Sequence, residues 1–352
     1  MAFGDILARL RPMRRELDLA AGFEAPIRAE VFGIERLESF ARALAESDRV
    51  DPRLRGRPLL HRFYQNRRML LLAQRRFATD ARQGRTLPPA AEWLLDNFYI
   101  IQDHLYQIEH DLSDSYYREL PKLTAGPQAG YPRVYGLALE LLGHTDSRLD
   151  QEVITRFVQA YQAVAPLNSG ELWAVAIMLR IGLTENLRRL ISQALVAHQR
   201  RQAAGAWADR VLRLAADSDS GPAAALTDLG QGVVGLDSAF VVSVLERLRD
   251  QSPAVAPVVQ WLEVWLGERG TNLDVVTRAE HQVRAANRLS VAHVVTSLRA
   301  LSMIDWPEFF ESTSLLERQL RLDPLGVYTG MDFETRDSYR HVVERLSRGA
   351  RL

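Results

Sequence analysis

From Leu172 onward, Leu172, Ala176, Leu179, Leu183, Leu187, Leu190 and Ala194 recur every three or four residues. That spacing lines side chains along one face of an α-helix. Asn168 precedes the run and Glu171 follows three residues later, the pairing in which each side chain serves an amide the first helical turn leaves orphaned. Helical periodicity continues through most of the chain, whereas the apolar/polar alternation of strands is scarce. Thr271 with Asp274, Ser290, and Asp305 with Glu308 are read as further helix starts. Pro307 falls in a first turn, where its missing N–H is no loss. Intervening loops of about two to six residues favour antiparallel neighbours. The predicted fold class is therefore all-α: an array of antiparallel helical hairpins. Solenoid-like stacking is one arrangement of such an array, although no repeat at a fixed period occurs.

Punctuation suggests a division of the chain. Gly84, Pro88 and Pro89 interrupt a long basic helix, and residues 217–222 form a polar loop ending in Gly221 and Pro222. A weaker break at 121–132 holds Pro121, Gly126, Pro127, Gly130 and Pro132. The expected segments are a basic N-terminal helical segment 1–86, a central helical module 87–216 and a C-terminal helical module 223–352.

Charge is segregated although it sums to zero over the 352 residues. Residues 52–85 carry ten arginines (53, 55, 57, 62, 67, 68, 75, 76, 82 and 85) against the single acid Asp80. The following stretch, 90–120, holds Glu92, Asp96, Asp103, Glu109, Asp111, Asp114 and Glu119 against Arg118. The first expectation is that two consecutive helices fold back and neutralise each other. The alternative has arginines within 53–85 facing anionic lipid headgroups. A zero net charge gives no reason to expect a nucleic acid. The absence of cysteine excludes disulfides, thiolate nucleophiles and cysteine-ligated zinc. The N-terminal stretch has Asp5 and frequent arginines, so no signal-peptide core forms. The longest apolar run, LWAVAIMLRIGL at 172–183, contains Arg180 and is too short for a bilayer of roughly 30 Å.

Spellings of chemical motifs are present without their contexts. Gly230, Gly232 and Gly235 match a dinucleotide-binding turn, but a helical stretch precedes them where a strand is required. Asp217 and Asp219 spell a metal-binding D-x-D, again with no strand, so a solvated loop is the expectation. The eight histidines are scattered, and no H-E-x-x-H or G-x-S-x-G occurs. His144, Asp146 and Arg148 in the loop HTDSR are assigned, together with Arg133, to a structural polar cluster. Trp93, Phe98, Tyr99, Tyr106, Tyr116, Tyr117, Tyr131 and Tyr135 are aromatics of the kind that stack on sugars. At helical spacing they are read as core. No catalytic, cofactor-binding or metal-ligating residue is assigned.

Several strings nonetheless carry a resemblance. They are LPPAAEWLLDNFYIIQDHL (87–105), SYYRELPKL (115–123), GYPRVYGLALELLGHTDSR (130–148) and GELWAVAIMLRIGLTENLRRL (170–190). Near the end come SLRALSMIDWPEFFESTSLLE (297–317) and DPLGVYTGMDFETRDSYRHVVERLSR (323–348). Together they resemble the N-terminal soluble region of the cyclic β-1,2-glucan synthases, from about residue 50 onward. The resemblance implies a bacterial inner-membrane protein that polymerises glucose from UDP-glucose through a family-84 glycosyltransferase domain. It implies, for this chain, a non-catalytic module on the cytoplasmic face that supports or docks that domain and needs no cofactor of its own. Asp332, Arg336, Asp337 and Arg340 are the expected interface with the remainder of the synthase. The rival expectations are an enzyme with an unrecognised glycosyltransferase or glycoside hydrolase site, and a free-standing helical adaptor.

Overall fold

A computed structural model describes residues 24–216, 238–249, 251 and 253–350. Among them are fourteen α-helices and one sheet of two short strands. In chain order the helices are α1 (Ile34–Ser47), α2 (Leu59–Arg82), α3 (Pro89–Asp96), α4 (Phe98–Asp111), α5 (Asp114–Glu119), α6 (Arg133–His144) and α7 (Gln151–Gln162). Then follow α8 (Ser169–Ala216), α9 (Ser238–Leu248), α10 (Ala256–Gly267), α11 (Leu273–Met303), α12 (Trp306–Thr313), α13 (Leu315–Leu320) and α14 (Phe333–Ala350). The strands β1 (Val50–Asp51) and β2 (Lys122–Leu123) pair antiparallel, Val50 opposite Leu123. The all-α expectation holds.

Helix starts follow side-chain chemistry. The Glu171 amide donates to Asn168 Oδ1 at 2.8 Å and the Asn168 amide donates to Glu171 Oε2 at 3.0 Å, a complete capping box for α8. Asp305 accepts from the Glu308 amide and starts α12, with Pro307 in its first turn. Two expected starts are corrected. Asn272, not Thr271, accepts from the Val275 amide at the head of α11. Ser290 opens nothing: it is buried inside α11, because the helical period continues through it without a break.

The chain divides into two compact units, each assembled from separated segments. Three of the boundaries fall within α2, α8 and α11, one between α3 and α4, and one before α1. The described part of the first unit comprises Glu24, Met69–Asp96 and, within Arg188–Ala292, all but residues 217–237, 250 and 252. Its core is Ala204, Ala208 and Val211 of α8 with Val241, Val244 and Leu245 of α9 and Val258 and Leu262 of α10. Asp80 is fully buried there, accepting from Arg85 at 2.7 Å and lying 3.1 Å from His198 Nε2. Burial alone would raise the Asp80 pKa, but His198, Arg76 and Arg85 outweigh it and hold the carboxyl below its ordinary value.

The second unit comprises Ala25–Arg68, Asn97–Leu187 and His293–Leu352. Here α8 is enclosed on nearly every side, which explains why residues 172–183 are apolar almost all round. At Gly182 it packs tightly on α6: an added Cβ would lie 2.6 Å from a methyl of Leu142. Helix α1 packs on α7 through Leu37, Ala41 and Ala45. Links between residues distant in sequence hold this unit, such as Arg299 to Asn97 and Gln159 to the Ser312 carbonyl. These contacts do not establish solenoid-like stacking.

The segregated charges also pair differently from expectation. One bridge, Arg67 to Glu109 at 3.4 Å, links the basic and acidic stretches directly. Arg62 instead makes a two-pronged pair with the buried Glu185 of α8, which also accepts from the Tyr135 hydroxyl. Lys122, the sole lysine, is buried and donates to the carbonyls of Tyr117, Arg118 and Leu120. It satisfies acceptors that the end of α5 leaves free, and burial lowers its pKa.

Candidate functional site

Within the second unit, one face of α8 presents Ser169, Trp173, Ala176, Ile177 and Arg180 at spacings of three and four. A face of α14 with the same spacing presents Asp337, Arg340, His341 and Glu344. Trp306 and Phe310 of α12 join them, and Asp111, Tyr116 and Glu119 complete the wall. The cleft so formed has a volume of about 630 Å³, within the usual range for small-molecule sites.

Each wall is fixed by polar contacts behind it. Arg133 is buried at the start of α6 and grips Glu171 with two hydrogen bonds of 2.9 and 2.6 Å, while also donating to the Pro166 carbonyl. Burial would lower the Arg133 pKa, but Glu171 more than compensates and raises it. The Tyr116 hydroxyl donates to the Gly170 carbonyl at 2.6 Å, and burial pushes its pKa well above the ordinary value. On α14, Arg336 forms a two-pronged pair with Glu311, and Arg340 donates to the buried Glu317 at 2.6 Å. Glu317 also accepts from Tyr328, whose hydroxyl pKa is raised to about 12, first by burial and then by that carboxylate. Trp306 is held by its indole N–H to the Leu301 carbonyl.

The cleft floor is aromatic. Trp173 stacks on Phe310 with centroids 4.8 Å apart and planes 15° apart, and meets Phe333 edge-on. Arg180 lies beside Trp306, its guanidinium carbon 5.8 Å from the ring centroid. Arg180 is only 8% exposed, yet its Nε has no hydrogen-bond acceptor. Burial lowers its pKa, and the charges of Asp111 and Asp103 oppose the shift only in part.

The four residues of the expected C-terminal interface occupy different settings. Arg340 is fully buried and Arg336 is largely so, both in ion pairs of this unit. Asp337 lines the cleft and pairs with Arg340 at 3.0 Å. Asp332 is exposed and accepts from the Thr335 amide at the head of α14. In the expected polar cluster, His144 stacks on Phe32 and contacts the Glu30 carbonyl. Asp146 is 3.2 Å from His293 Nδ1 and 3.5 Å from Arg28, whereas Arg148 is exposed. Asp146 and Ser147 both have positive φ, of 47° and 61°, conformations that persist only when their surroundings impose them. Asn186 and Ser297 impose this one through Ser147, which the sequence reading overlooked.

Of the aromatics singled out as sugar-stacking types, Tyr116 alone reaches the cleft; Trp173, Trp306 and Phe310 were missed. The available signal was Arg180, a charge inside an apolar helix two turns beyond a tryptophan. The motif spellings at 217–219 and 230–235 lie outside the described residues.

No family model matches the chain. Across 347 residues, 96% of its length, it is 31% identical to the cyclic beta-(1,2)-glucan synthase NdvB of Rhizobium meliloti (strain 1021). The chain resembles part of a cyclic β-(1,2)-glucan synthase. It spans only 12% of the length of that relative. The likeness extends over almost the whole chain, beyond the stretch from about residue 50 that the sequence strings trace. No helix among the described residues is long and apolar enough to cross a membrane.

Proposed function

We propose that this chain is a helical module of a glucan-synthase assembly, placed on the cytoplasmic face of the membrane, which docks and supports a UDP-glucose-dependent glucosyltransferase part without performing the transfer itself. The observation that carries the reading is the match of nearly the entire chain to a small share of a much longer synthase. An exposed apolar patch supports it. Tyr339, Val342 and Leu346 follow one another along α14 and are 50%, 47% and 67% exposed. The ring of Tyr339 meets the buried Tyr328, whose loop also bears Leu325 and Val327, themselves 85% and 56% exposed. Exposed apolar side chains grouped in this way mark interaction sites. The interface expected from sequence is accordingly proposed for the outer side of α14, with Asp332 at its rim.

Anionic lipid is proposed as a second contact. Arg68, Arg75 and Arg82 recur every seventh residue on α2, are exposed, and carry no ion pair among the described residues. The docking reading is tested by capture. Tagged chain is expected to retain the NdvB remainder lacking the matched segment, and Val342→Asp with Leu346→Asp to abolish retention at unchanged melting temperature. No retention by the unaltered chain refutes docking.

A further inference from the structure

Arg180 is a charged side chain of this cleft that no carboxylate or carbonyl among the described residues satisfies. A buried guanidinium without acceptors carries a desolvation cost that a protein normally offsets with a carboxylate or carbonyls. Here the nearest relief is the face of Trp306 and the through-space charge of Asp111 and Asp103. No ion pair or hydrogen bond of its side chain occurs among the described residues. A methionine would fill the same stem at lower cost, and the guanidinium lines a cleft from which an acceptor could reach it.

The other lining groups restrict what that is. The lining sets Asp111, Glu119, Asp337 and Glu344 against Arg180 and Arg340, with Asp337 already paired to Arg340 at 3.0 Å; the acids in excess disfavour a phosphate or carboxylate beside Arg180. An organic cation suits the acids and the indoles of Trp173 and Trp306, but meets the arginine's charge. A purely apolar ligand leaves Arg180 as orphaned as before. A neutral polyhydroxylated molecule satisfies all three sets. Its C–H faces lie on the indoles, its oxygen lone pairs accept from the guanidinium, and its hydroxyl protons go to the carboxylates.

We infer that the cleft between α8, α12 and α14 is a carbohydrate-binding site, with Trp173 and Trp306 as stacking surfaces, Arg180 as donor and Glu344 as acceptor. The class of ligand follows from the lining. The choice of a β-1,2-linked glucose chain as its occupant rests on the proposed synthase function.

The test is titration of the full chain with a β-1,2-linked gluco-oligosaccharide, followed by tryptophan fluorescence and calorimetry, with spermidine and inorganic phosphate as rival probes. Saturable binding of the oligosaccharide is expected. Arg180→Met should weaken it at least about tenfold, the loss of one hydrogen bond to a charged group, while its melting temperature stays level or rises. Glu344→Gln, at the rim, should weaken it severalfold without affecting folding. Absence of saturation, preference for spermidine or phosphate, unaltered affinity in both variants, or a lowered melting temperature in Arg180→Met each overturns the inference. Capture of the synthase remainder is scored without sugar, so failure of this site and failure of the docking reading are separable.

Discussion

Removing Arg340 leaves Glu317 buried without its closest cation, and breaking such a pair costs about 3–5 kcal/mol. Arg340→Met and Arg133→Met are both expected to lower the melting temperature strongly. Asp332→Ala removes only an exposed cap and should lower it far less. Thermal unfolding of the three variants checks the ranking. Glu317 also sets a pH dependence. Burial would raise its pKa, but the hydrogen bonds from Tyr328 and Arg340 hold it below the ordinary 4.5. A carboxyl depressed on folding contributes stability above its unfolded value, and that contribution is lost as pH falls through the folded value. The melting temperature should therefore decline below pH 4.5, and Glu317→Gln should melt lower at neutral pH with a shallower acid decline. Residue-scale legibility was uneven for a physical reason. Asn168 and Glu171 are three apart, so their reciprocal cap is written locally. Arg180, Trp306 and Glu344 sit on three helices far apart in sequence, and only tertiary packing brings them to one cleft.

At the scale of the element, α8 carries two glycines with opposite expectations. Gly182 lies where an added Cβ would meet Leu142 at 2.6 Å, so Gly182→Ala should destabilise by about 1–3 kcal/mol through overpacking. Gly205 has no atom within 4 Å of the Cβ position and sits inside the same helix. Gly205→Ala should stabilise by about 0.5–1 kcal/mol by reducing unfolded-state freedom. Melting curves that move in the same direction for both would contradict this packing of α6 on α8. Helix ends with a side-chain acceptor and a following proline, as at Asp305, were legible. Ser290 misled because serine serves as a cap only where periodicity begins, and at α11 it continues on both sides. The near-complete enclosure of residues 172–183 was also hidden, since a single stripe and an all-round apolar surface differ only in the residues between the stripe positions.

For the whole molecule, an all-α fold held by buried ion pairs coexists with a cleft whose arginine is unsatisfied and a C-terminal helix whose outer side is apolar. Both features are costly in an isolated chain, and the proposal explains them as surfaces that sugar and the rest of a synthase would cover. The most direct measurement is cyclic β-1,2-glucan formation from UDP-glucose in membranes containing NdvB, NdvB lacking the stretch matched by this chain, or NdvB with this chain in its place. The account predicts loss of synthesis on deletion, recovery with this chain, and no turnover of UDP-glucose by the purified chain alone. Full synthesis by the deleted form, failure of the membrane-inserted replacement, or turnover by the isolated chain would contradict it.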